Sequence, residues 1–178
     1  MRKTLILVAA TAIVLSAFAA LAEEPTIIGV PKCKMCHKAK TGDQFKIWSE
    51  SKHAGAFETL KSEAALAIAT EKELGNPWEE PACLKCHTTQ AFLGAELDAK
   101  TKYVDEEGVG CESCHGAGSA YKSKKVMSDH DAAVAAGLTV GGEETCLKCH
   151  NEDSPTFKAF DFEERWAEIA HPTLEAAE

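Results

Sequence analysis

Aromatic side chains make up only 7% of this 178-residue chain, with three Trp, two Tyr and seven Phe. That supply, with few β-branched residues beside it, is too small to build an ordinary apolar interior. Positive charge is also scarce: 19 Lys and Arg stand against 28 Asp and Glu, a formal net charge of −9. An acidic chain is a poor match for nucleic acid or for an anionic membrane surface. Beyond residue 21 no stretch is long and apolar enough to span a bilayer. The length fits one domain.

The first residues read as a secretory signal peptide over 1–22. Arg2 and Lys3 precede an apolar run from Leu5 to Leu21, Ala20-Leu21-Ala22 offers a cleavage site, and Glu23-Glu24-Pro25 turns polar at once. The competing reading is an uncleaved anchor, for which a run of about 17 residues is short. Cleavage would leave a domain over 23–178 with 17 basic against 28 acidic side chains.

All eight cysteines fall into local pairs: Cys33/Cys36, Cys83/Cys86, Cys111/Cys114 and Cys146/Cys149. Each pair is followed at once by a histidine, namely His37, His87, His115 and His150, giving CKMCH, CLKCH, CESCH and CLKCH. Two thiols three residues apart reach the two vinyl groups on one haem edge, and the next residue swings its imidazole under the iron. Zinc ribbons need two pairs per ion and no histidine after each second cysteine. A disulfide framework leaves all four histidines unexplained. Thioredoxin-like exchange needs a single motif on a βαβ scaffold. The reading is therefore four covalently bound haem c groups. The domain has about 39 residues for each motif, so the haems themselves would form the core.

The histidine count carries further information. Four bis-histidine irons need eight imidazoles, and the chain has seven. Beyond the four proximal residues only His53, His130 and His171 remain as distal ligands. At least one iron must have another sixth ligand, an open position, or a histidine from another molecule. Met35 lies inside its own motif and points poorly for ligation, while Met127 is a second sulfur candidate.

Local signals predict a mainly α domain with extensive loops. Pro25 to Lys32 reads as extended. A helix is expected from Asp43 to Leu60, a second from Ala64 to Leu74 capped by Ser62 and ended by Gly75-Asn76-Pro77, and a short one from Asp129 to Ala136 capped by Ser128. Thr88 to Gly110 reads as loop with a short strand at Lys102 to Val104. A last helix, Asp161 to Ala170, carries Phe162, Trp166 and Ile169 on one stripe and stops before His171-Pro172. Gly108, Gly110, Gly116 and Gly118 around the third motif are expected to allow close approach of backbone to a ring. The motif spacings of 50, 28 and 35 residues are unequal, so this is no solenoid.

Over most of its length the sequence resembles the tetrahaem cytochrome c-554 family of nitrifying bacteria. CKMCHKAK with IWSESKHAGAFETLK resembles that family's first haem motif and its W-x-x-S/T-x-H-A helix, and GVGCESCHGAG its third motif. The resemblance implies a small, mainly helical multihaem cytochrome with closely stacked haems at its core. It also implies ligand pairs His37/His130 at haem 1, His115/His171 at haem 3 and His150/His53 at haem 4, with His87 on a five-coordinate haem 2.

The function expected is electron transfer between redox partner proteins in the periplasm or outside the cell, with no catalytic residue. Two alternatives stand beside it: reduction of a small ligand such as nitric oxide at an open haem 2, and a polymerising extracellular wire that shares a histidine between subunits. If the cofactors are the core, the haem-free chain cannot fold by itself. Its circular dichroism should show no cooperative thermal transition, and a native-like sigmoidal melt would contradict the reading.

Overall fold

The computed structural model describes residues 23–172. The expected signal peptide, 1–22, and the tail, 173–178, lie outside the described residues. Helix comes in short pieces: α1 (Val30–Lys34), α2 (Gln44–Ser49), α3 (Ala56–Thr59), α4 (Glu63–Glu71), α5 (Pro81–His87), α6 (Thr89–Leu93), α7 (Cys111–His115), α8 (Lys124–Met127), α9 (His130–Ala135), α10 (Glu143–Leu147) and α11 (Phe162–Ile169). Among the described residues there are also two 3₁₀ turns and one isolated parallel bridge, Ile27 to Leu97. Helices this short are not stable alone in water, so caps and packing must hold them.

The mainly α, loop-rich expectation holds, while several boundaries move. The single helix expected from Asp43 to Leu60 is broken into α2 and α3. The break follows from tertiary hydrogen bonds: Val109 N donates to the His53 carbonyl at 3.0 Å, and Trp48 Nε1 donates to the Val109 carbonyl at 2.8 Å. Gly108 makes this approach feasible, because at its φ of +65° a Cβ would lie 2.6 Å from the His53 oxygen. Ser62 does cap α4, accepting from Ala65 N at 3.2 Å. The helix ends before Gly75, because Glu73 turns left-handed at φ 55° and Leu74 N reaches back to Ala69 O at 2.8 Å.

In the segment expected to be loop, Thr88 caps α6 through Ala91 N at 3.3 Å, and no strand forms at 102–104. The cap of α9 is Asp129, which accepts from Ala132 N at 3.0 Å; Ser128 instead closes α8 through the Lys124 carbonyl. Asp161 caps α11 in the same way, through Glu164 N at 3.0 Å. The close approaches at the glycines of the third motif are to protein. A Cβ on Gly116 would meet the Gly137 carbonyl, and those on Gly110 and Gly118 would meet Thr89 and Ile28.

The third motif is the hub. Glu112, 2% exposed, lies inside it and accepts from Ile28 N at 3.0 Å, Gly29 N at 2.8 Å and Gly118 N at 2.7 Å. One carboxylate thus ties the segment before the first motif to the loop after the third. Thr89 completes the joint, donating to Gly108 O and accepting from Gly110 N at 2.8 Å. As a result α1 packs on α7, and α6 packs on α7 as well. Next to this joint Glu107 accepts from Val30 N at 2.8 Å. Burial pushes its carboxyl up to about 7, the Val30 hydrogen bond opposing and Glu112 adding repulsion.

Glu112→Ala would strand buried N–H groups at about 1–3 kcal/mol each. Chemical denaturation of the holoprotein should show a loss of several kcal/mol, and Glu112→Gln, which keeps one acceptor oxygen, a smaller one. For Glu107 the raised value means the folded chain favours the neutral acid. Its stabilising contribution is complete at low pH and disappears as pH rises through about 7. The midpoint of urea unfolding should therefore fall between pH 5 and 7.5, and Glu107→Gln should flatten that slope.

Candidate haem centres

The second and third motifs lie within short helices, and the first and fourth begin at the end of one and continue into a turn. α5 opens with Pro81 in its first turn, and α7 runs from Cys111 to His115. α1 carries Cys33, and Cys36 and His37 follow in a turn whose backbone N–H groups both point at Cys33 O, at 3.1 and 3.0 Å. Cys149 and His150 repeat that geometry on Cys146 O, at 3.1 and 2.9 Å. Both thiols of a pair and the following imidazole are thereby gathered on one side of a tight turn.

The thiols also show which motifs are neighbours. The neighbouring Cys111 thiol and burial push the Cys33 thiol up. Burial pushes Cys149 up to about 12 with Cys86 beside it, and Cys114 up to about 11 with Cys146 beside it. The first motif therefore lies against the third, the third against the fourth, and the fourth against the second.

Two of the proximal imidazoles are oriented by backbone carbonyls. His115 Nδ1 lies 2.9 Å from Thr139 O, and His87 Nδ1 lies 2.6 Å from Ala56 O. A carbonyl only accepts, so Nδ1 carries a proton, which in the neutral ring leaves the lone pair on Nε2. This is the tautomer a metal-bound histidine needs. Thr59 Oγ1 lies 3.3 Å from the same His87 nitrogen. His150 stacks on Phe160 with centroids 4.7 Å apart.

Two spare histidines face proximal ones. The His53 and His150 centroids are 6.1 Å apart, and those of His115 and His171 are 5.7 Å apart. Two axial bonds of about 2 Å, with each centroid about 1 Å behind its nitrogen, set a separation of about 6 Å across one metal. Burial lowers the pKa of His53, of His171 and of His37, which keeps them in the neutral form that ligates. The buried Nδ1 of His171 has no hydrogen-bond partner. His37 lies near His115 and His171. Among the described residues no imidazole pairs with His37, His87 or His130. The His130 side chain is 68% exposed, its Nδ1 3.6 Å from Asp131.

These residues fit haem and do not fit a protein-only metal cage. Among the described residues no three His, Cys, Asp or Glu side chains converge, whereas an iron already held by a porphyrin needs at most two axial side chains. Large apolar side chains flank the attachment points: Leu147 is 42% exposed and Trp166 36%, the latter about 3.9 Å from the Cβ position of Gly141 beside Cys114. Such faces suit a covering ring system. The carbonyls of Thr139 and Ala56 were not legible beforehand, because backbone acceptors leave no mark in sequence. Glu112 did leave one, as an acid inside a glycine-flanked motif.

Four C-x-x-C-H turns on or after short helices, with imidazoles oriented for a metal, define a c-type cytochrome. A family model described as "Cytochrome c554 and c-prime" matches residues 32–116. Cytochrome c-554 of Nitrosomonas europaea is 30% identical over 158 residues, covering 81% of this chain; the chain spans 66% of that relative's length. No solved structure matches. The chain belongs to the cytochrome c-554 family, whose members carry covalently bound haem c. No helix among the described residues is long and apolar enough to cross a membrane.

Proposed function

We propose that this chain is an exported tetrahaem electron carrier of the periplasm or cell exterior, released by removal of residues 1–22, passing electrons between redox proteins. The observation that carries the reading is the pair of imidazole couples, His53/His150 and His115/His171, each at the separation that axial ligation of one iron sets. The attachment residues are Cys33, Cys36, Cys83, Cys86, Cys111, Cys114, Cys146 and Cys149, with His37, His87, His115 and His150 proximal. Haem supplies one-electron chemistry at iron, at fairly low potential where both axial ligands are imidazole.

The protein's own residues do the rest. The facing imidazoles would close both axial positions at two centres, which leaves no room there for substrate. Thr139 and Ala56 fix the proximal tautomers. The neighbouring thiols support an order of first, third, fourth, second, along which electrons would pass from centre to centre. His87 has no imidazole opposite it among the described residues, which supports an open position at the second centre. That position also supports the second reading, small-ligand reduction there. At His37 the assignment of His130 has support from the family resemblance alone.

Intact mass of the mature protein should exceed the bare polypeptide by four haems, and a different integer would overturn the tetrahaem reading. His171→Ala and His53→Ala should each turn one haem high-spin in resonance Raman spectra while leaving all four attached. An unchanged spin state in either variant would refute that pairing.

A further inference from the structure

The first motif differs from the other three in exposure and in charge. Cys36 is the exposed cysteine of the eight, the remainder being half-buried. Beside it Met35 is 65% exposed. Lys34, Lys38 and Lys40 are exposed around the same turn, and none is in a salt bridge among the described residues. The segment from Lys32 to Lys46 carries five lysines against Asp43, in a chain whose formal charge is −9.

The loop is well fixed. Lys38 N donates to Cys36 O at 2.9 Å and Asp43 N to Lys38 O at 3.0 Å. Thr41 Oγ1 donates to Lys38 O at 2.8 Å, Phe45 N to His37 O at 3.0 Å, and Lys34 Nζ stands 4.6 Å above the Phe45 ring. Lysines carried on a loop fixed in this way make a local positive field opposite in sign to the net charge of the chain, and at about 0.1 M salt such a field reaches only about 10 Å.

From this we infer that the turn around Cys36 is the docking face for an acidic electron-transfer protein, with Met35 as its apolar centre and Lys34, Lys38 and Lys40 as its rim. The inference rests on haem being attached at Cys33 and Cys36. Electron-transfer encounters are small and electrostatically steered. A rim of free lysines around the most exposed attachment point meets both requirements, and local charge would then select the partner against the net repulsion of the chain.

The test uses the whole reduced holoprotein and two trianions. Hexacyanochromate(III), which exchanges no electron here, should broaden the NMR amide signals of Met35 to Lys40 selectively. Oxidation by hexacyanoferrate(III) should slow as salt is added, although overall charge alone dictates the opposite slope. Lys34→Gln with Lys38→Gln and Lys40→Gln should abolish the selective broadening and cut the low-salt rate about tenfold. The charge-matched triple Lys124→Gln, Lys125→Gln, Lys158→Gln should change either readout by less than about twofold. Broadening elsewhere, a rate that rises with salt, or equal effects of the two triples would overturn the docking face. Peptide mass of the 33–36 segment separates the claims: no haem there overturns the underlying reading, and haem present with broadening elsewhere overturns only the face.

Discussion

The close approach of two pairs of imidazoles, His53 to His150 and His115 to His171, is a constraint that the rest of this fold meets. The centroids of His53 and His150 stand 6.1 Å apart and those of His115 and His171 5.7 Å, separations that would suit one metal held between each pair. The members of each pair are distant in sequence. His53 belongs to the turn between α2 and α3, and His171 follows the last helix. Holding them opposite their partners requires those elements to be fixed independently of any extended sheet or long helix bundle.

The fixing is done by polar joints. Few apolar side chains are buried among the described residues, Ile27, Phe57 and Leu60 among them, too few to stabilise a domain of this size by burial alone. Glu112 binds three backbone N–H groups from two segments, Thr89 bridges Gly108 and Gly110, and Trp48 fastens the α2 turn to Val109. With α7 at the centre, the first and fourth motifs both lie against the third, and the second lies against the fourth. The same economy explains the surface: large side chains such as Trp166 and Leu147 stay partly open beside the attachment cysteines, where a ring would cover them.

How much of this was legible in the sequence depended on distance along the chain. The C-x-x-C-H turns, the cap at Ser62 and the α11 stripe are local features, and they appear where their residues predict. The break between α2 and α3 was not legible, because it depends on Val109, more than fifty residues away. Glu73 ended α4 ahead of the obvious Gly75-Asn76-Pro77 signal, a left-handed turn that a non-glycine residue rarely announces. The α9 cap moved by one residue because Asp129 and Ser128 are both good caps and packing against α8 decided between them. The histidine deficit was a matter of counting. Which histidine lies near which is a tertiary property, visible only in the fold, where His53 comes within 6.1 Å of His150 and His171 within 5.7 Å of His115, centroid to centroid.

The central claim, that these imidazole pairs are axial ligand sets, is tested most directly by electron paramagnetic resonance of the fully oxidised, purified holoprotein at low temperature. Two closed imidazole pairs predict at least two low-spin ferric haems, with any high-spin signal near g = 6 integrating to no more than about half of the iron. A spectrum with three or more high-spin centres would contradict it.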